Sequence, residues 1–152
     1  MKRIFFFLGL LSITSFSFIS CDEDGDTITI DSALPIGEFA ATSNGTFVAQ
    51  NDTPTQGSVE LGTDEEDRTF LRLSEDFTTA VATGTVTVYL STSENFVTDP
   101  GNGNPDLRLI GGLRENGERF FEVEGGIDSK FTHVILWCAS ANIPFGYATL
   151  GN

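Results

Sequence analysis

From Gly37 onward no stretch sustains a 3.6-residue apolar repeat; short apolar runs alternate instead with Gly, Asn, Asp and Pro clusters. A chain patterned this way has no amphipathic helices to pack and must bury its apolar residues on the faces of sheets. Candidate strands fall at 38–42, 46–50, 58–61, 68–73, 85–90, 107–113, 119–123, 132–138 and 146–150. Asn44-Gly45 and Asn116-Gly117 read as hairpin turns, since both central residues of a type I′ turn need positive φ. Residues 74–81 allow one helical turn at most. Val86, Val88 and Leu90 share one face of their strand and Thr85, Thr87 and Tyr89 the other, as in a half-exposed strand. In the 132–138 strand both faces are apolar: Val134, Leu136 and Cys138 on one, Ile135 and Trp137 on the other. That strand belongs in the centre, covered on both sides. The expectation is an all-β fold, a single antiparallel β-sandwich, with no second domain and no internal repeat.

The N-terminal segment has a different character. Met1-Lys2-Arg3 is a short cationic region, Ile4 to Leu11 is an apolar run, and no charge follows Arg3 until Asp22. These features predict a cleaved export signal rather than a stable membrane span. Phe18-Ile19-Ser20-Cys21 resembles a bacterial lipobox, with Phe18 where Leu is usual; it implies removal of residues 1–20 and lipidation of Cys21. Several acyl chains on one residue anchor firmly. Residues 21–36, opening on Asp22-Glu23-Asp24-Gly25-Asp26, then form an acidic tether, and 37–152 the folded domain. The expected location is the cell envelope, lipid-anchored in the outer membrane or at the surface of a Gram-negative bacterium. The membrane is thus one partner, reached through the lipid.

Composition excludes more chemistry than it supplies. The 152 residues carry 22 acids against 8 Lys+Arg, a formal net charge of -14, which argues against nucleic acid as a partner. There are two Cys, one His and one Met, too few for haem, blue-copper, zinc or iron–sulfur ligation. No cofactor and no resident metal are expected. No nucleophile elbow, zinc-protease pair or phosphate-cradling loop is present, so no catalytic residue is assigned and the chain is not expected to be an enzyme. Asp64-Glu65-Glu66-Asp67 and the 99–106 segment are oxygen-rich and could hold calcium, but neither follows the EF-hand spacing. His133 reads as a residue at the start of a strand, near the surface. Once Cys21 is acylated, Cys138 is the remaining thiol and no intramolecular disulfide can form.

The C-terminal third carries the most specific pattern. His133-Val134-Ile135-Leu136-Trp137-Cys138, followed by Asn142-Ile143-Pro144-Phe145-Gly146-Tyr147-Ala148-Thr149-Leu150, resembles the DM-thirteen (electron-transfer DM) domain family. Gly57-Ser58-Val59-Glu60-Leu61, Leu71-Arg72-Leu73, Val88-Tyr89-Leu90-Ser91 and Gly111-Gly112-Leu113 agree with it, so the resemblance runs from about Gly37 to Leu150. It implies an extracytoplasmic, DOMON-like or jelly-roll-like sandwich. It also implies that the family's characteristic cysteine is Cys138, with Trp137 beside it as a second candidate redox residue. Animal members often sit beside DOMON and b-type cytochrome domains; this chain carries no cytochrome partner.

Two functions follow as expectations. The first is an extracytoplasmic redox or electron-transfer accessory acting through Cys138 on an envelope redox partner. The alternative is a non-enzymatic binding or adhesion module for a glycan, a peptide or an envelope protein. An accessible thiol of lowered pKa favours the first and an inert buried one the second. The position of Cys138 at a strand end, with the small residues Ala139-Ser140-Ala141 after it, predicts partial access. The acidic net charge should raise its pKa unless Lys130 or His133 offsets it.

Overall fold

The computed structural model describes residues 34–97 and 103–151. The expected signal segment, Cys21, most of the expected tether and residues 99–102 of the second oxygen-rich loop lie outside these residues. Eight strands follow in chain order: β1 (Ala40–Ala49), β2 (Ser58–Thr63), β3 (Thr69–Leu73), β4 (Val86–Ser91), β5 (Leu107–Leu113), β6 (Arg119–Glu122), β7 (His133–Cys138) and β8 (Ile143–Thr149). A single 3-10 turn, Val81–Thr83, is the one helical element among the described residues. Every strand pairing is antiparallel, and the sheet order is β5-β4-β7-β8-β1-β2-β3-β6.

Strand β1 belongs to both halves of this sheet. Residues 40–46 pair with β2, while Phe47–Ala49 pair with β8. The sheet therefore turns a corner within β1 and folds over itself as two packed layers, a sandwich rolled nearly into a barrel. The seam lies between β5 and β6. There Arg108 bridges the gap by donating to the Gly126 carbonyl at 2.6 Å and to the Glu124 carbonyl. A side chain at Gly111 of β5 would strike the Phe121 ring of β6, so glycine is what lets the two edges close up.

The interior is filled from alternate positions. Val59, Leu61, Leu71, Leu73, Val86, Val88, Leu90, Leu113, Val134, Leu136 and Cys138 pack with Phe47, Phe77 and Phe145. Strand β7 sits between β4 and β8, as its two apolar faces predict. Its outward Ile135 is as fully buried as its inward neighbours, and so is the outward Phe70 of β3. Phe70 lies beneath Phe120, itself edge-on to Phe39 at 5.7 Å, with the Arg68 guanidinium over the Phe70 ring.

Both sequence-predicted hairpins need correction. Asn44-Gly45 lies inside β1, and Gly45 does not have positive φ. What glycine supplies here is space, because a Cβ would run into the Thr149 carbonyl of the crossing chain. Gly117 does turn the chain, at φ +86°, but β5 and β6 do not pair with each other; the turn carries the chain across the seam. Strand β8 also starts earlier than expected, before Pro144. The proline is tolerated because the β7–β8 register shifts between Leu136 and Trp137, at the point where Trp137 faces Pro144.

Candidate functional site

Cys138 is the last residue of β7, and the chain reverses immediately after it. The Asn142 N–H donates back to the Cys138 carbonyl at 2.8 Å, and Asn142 takes φ 56° to complete the turn. The Ala139 N–H donates to the Thr85 carbonyl at 3.1 Å, which pins the turn against the start of β4. The thiol points inward with Val134 and Leu136, is free, and is 0% exposed. This differs from the expectation of partial access: the small residues 139–141 fold over the sulfur instead of leaving it open.

The cover is polar. Sγ lies 3.4 Å from the Ser140 hydroxyl and 3.5 Å from the Thr85 hydroxyl. Thr85 donates to Ser140 Oγ at 2.8 Å and accepts the Ser140 N–H at 3.1 Å. With the Thr85 proton so placed, the Ser140 hydroxyl proton is available to the sulfur. Thr83, at the end of the 3-10 turn, and the Ala141 N–H complete the cradle. Burial pushes the thiol pKa up, but the Ser140 and Thr83 hydroxyls and the Ala141 N–H, with Thr85 holding the Ser140 hydroxyl in place, outweigh it and bring it down from 9.0 to about 7. The cations proposed for this task from the sequence are at the wrong end: His133 opens β7 and Cys138 closes it, and Lys130 precedes His133. Neutral donors do the work expected of a charge.

Trp137 and Cys138 are adjacent in a strand and project to opposite faces. The Trp137 ring lies on the outside, stacked on Phe96 at 3.9 Å and 15°, with Tyr89 edge-on to Phe96 at 5.0 Å. The two candidate redox residues are thus covalent neighbours whose side chains do not meet. Thr83, Thr85 and Ser140 escaped the sequence reading. Only the pairing of β4 with β7, Val86 opposite Cys138, brings Thr85 to the sulfur, and one strand's pattern does not contain that register.

His133 is half-buried at the start of β7, its Nδ1 2.9 Å from the Thr132 hydroxyl. The Asp64 segment is engaged internally. Asp64 accepts the N–H groups of Ile36, Glu66 and Arg68, and pairs with the Arg68 guanidinium at 2.7 Å. Its carboxylate organises the β2–β3 turn and fastens the incoming chain to it. Among the described residues no three His, Cys, Asp or Glu side chains gather into a metal-binding group.

No curated protein and no solved structure matches the chain. The family model described as Electron transfer DM13 matches residues 46–150, a span running from the middle of β1 past the end of β8. Every strand except the first half of β1 falls within that span, as do Cys138 and its cradle: the chain belongs to the electron-transfer DM13 family and carries one such module.

Proposed function

We propose that this protein is a cell-envelope lipoprotein, anchored through Cys21 after loss of residues 1–20, whose DM13 module is a non-enzymatic redox accessory working through the Cys138 thiolate. The observation that carries the redox half is the hydroxyl cradle. A core cysteine packed only by hydrocarbon would be held as the thiol, whereas this one is surrounded by donors that favour the anion and bring its pKa to about 7. The thiolate is the nucleophilic form. It attacks a disulfide of an envelope partner, one partner sulfur leaves as thiolate, and a mixed disulfide remains until a partner thiol resolves it. Attack requires the exposed 139–142 turn to swing aside, a four-residue movement that leaves β7 in place. The N-terminal half of the proposal rests on the sequence of residues 1–21.

The test is alkylation of the native full-length protein across pH, with urea-unfolded protein as control. The expected profile has its midpoint near pH 7, and Thr85→Val with Ser140→Ala moves it upward by more than about one unit. Labelling that needs global unfolding at every pH overturns the redox reading. Mass spectrometry of the N-terminal peptide from the envelope fraction tests the anchor; a mature terminus other than acylated Cys21 overturns that part alone.

A further inference from the structure

The two ends of the barrel are built differently. At the Cys138 end the interior is plugged by Phe47, Phe77 and Phe145. At the opposite end the inward positions change chemistry. Along β2 the inward series Val59, Leu61 ends in Thr63; along β3 the series Leu73, Leu71 ends in Thr69, directly opposite Thr63. Ser43 of β1 faces Leu61, and Thr132 continues inward from Leu136 and Val134. A layer that would hold Val or Leu in a sealed barrel is a ring of hydroxyls. The 127–132 connection arches over this ring, and between them lies a cavity of about 460 Å³. Leu61, Ile127, Phe131 and Leu150 supply its apolar surface.

The polar groups in this mouth are incompletely used. Ser43 donates to the Gly151 carbonyl, which leaves its oxygen lone pairs open; Thr132 donates to the Thr92 carbonyl and has His133 Nδ1 at 2.9 Å, which leaves it one lone pair. Thr63, Thr69 and Ser129 hydroxyls have no partner among the described residues, and the Asp128 carboxylate accepts one N–H, that of Lys130. No Lys, Arg or His lines the cavity, and Asp128 is the one charge in it. An anion would be repelled by Asp128 and by the net charge of the chain. A single carboxylate is a poor cage for a divalent cation. An acyl chain would bury the hydroxyls unpaired. A ligand that offers both donors and acceptors around an apolar ring face fits every element of the lining, and the volume lies in the about 300–1,000 Å³ range of small-molecule sites.

We propose that the mouth formed by Ser43, Thr63, Thr69, Thr132 and Asp128 binds a neutral sugar ring, with the hydroxyls and the carboxylate on its edge and Phe131 against its face. The site stands apart from the thiol and does not depend on it. The test is saturation-transfer NMR on the full-length protein with the methyl glycosides of glucose, galactose and mannose and with N-acetylglucosamine. Glucuronate and decanoate serve as comparison probes. At least one neutral sugar should bind, and glucuronate should bind at least about tenfold more weakly than that sugar. Asp128→Asn and Thr69→Val, a near-isosteric exchange of hydroxyl for methyl, should each weaken that binding by about tenfold or more while circular dichroism stays unchanged. The idea is overturned by no neutral sugar binding up to about 50 mM, by both folded variants binding as the parent does, or by decanoate binding where sugars do not.

Discussion

Asp64 and Cys138 are both acids whose folded pKa lies below the ordinary value, and in both the cause is a set of donors outweighing burial. For Asp64, burial raises the pKa, while the N–H groups of Ile36, Arg68 and Glu66 and the Arg68 side chain bring it down to about 2, from 3.8. A depressed acid contributes stability that is complete above its unfolded pKa and is lost as pH falls through its folded pKa. The Asp64 contribution is therefore present from about pH 4 upward and disappears between about pH 4 and 2. Asp64→Asn should lower the melting temperature at pH 7, and the gap to the parent should narrow as pH approaches 2. Melting curves across that range check it; a gap independent of pH would mean that charge plays no part at this site. The sequence made the acidic turn visible and suggested calcium for it. What it could not display is that Ile36, twenty-eight residues earlier, supplies one of the donors. Cys138 teaches the same lesson: the sulfur was legible from its family pattern, and its cradle was not, because Thr85 reaches it only through a strand pairing.

Among the elements, the strands were legible because alternation of apolar and polar residues is a local signal. β4, β5, β6 and β7 stand within a residue or so of where the pattern put them, and β4 and β7 turn the expected faces inward. The errors arose where a residue answers to a distant neighbour. Gly45 looks like a turn glycine; in the fold it marks the point where β1 passes the Thr149 carbonyl, so two expected strands fuse into one. Gly45→Ala should cost about 1–3 kcal/mol, the usual penalty for forcing a methyl group into filled space. Gly112→Ala, at an exposed β5 position with nothing within 4 Å of the new methyl, should stay within about 0.5 kcal/mol of the parent. Urea unfolding of both variants makes the comparison, and equal effects would show that crowding at the β1–β8 crossing is not what the glycine relieves.

For the molecule as a whole, the polar mouth and the plugged thiol end divide the barrel into two poles. The incoming chain is tied down at the mouth, through the Ile36 N–H on Asp64 and the Leu34 carbonyl on Arg68. The thiol lies at the far end of a six-residue strand, roughly 20 Å away at the rise of a β-strand. The all-β class was readable from the sequence, since pattern alone decides it. The near-closure was not, because it depends on one strand serving two layers. That sharing governs when the protein can fold. β8, the last strand, sits between β7 and β1, with Phe47 opposite Ala148. A chain emerging N-terminus first can assemble the β1-β2-β3 meander early, but no strand ladder joins the layer containing β7 to it until β8 arrives. Until then β1 and β7 both offer open edges. Folding should accordingly be slow, on the ms–s scale of proteins dominated by non-local pairing, with a single refolding phase that reports β8 insertion. A chain ending at residue 142 should expose both edges and aggregate. If that shortened chain stayed monomeric with native-like near-ultraviolet dichroism, closure by β8 would not be the committing step. A domain with this strand order cannot close while β8 is still inside a ribosome or a translocation channel, and so remains threadable until that strand is free.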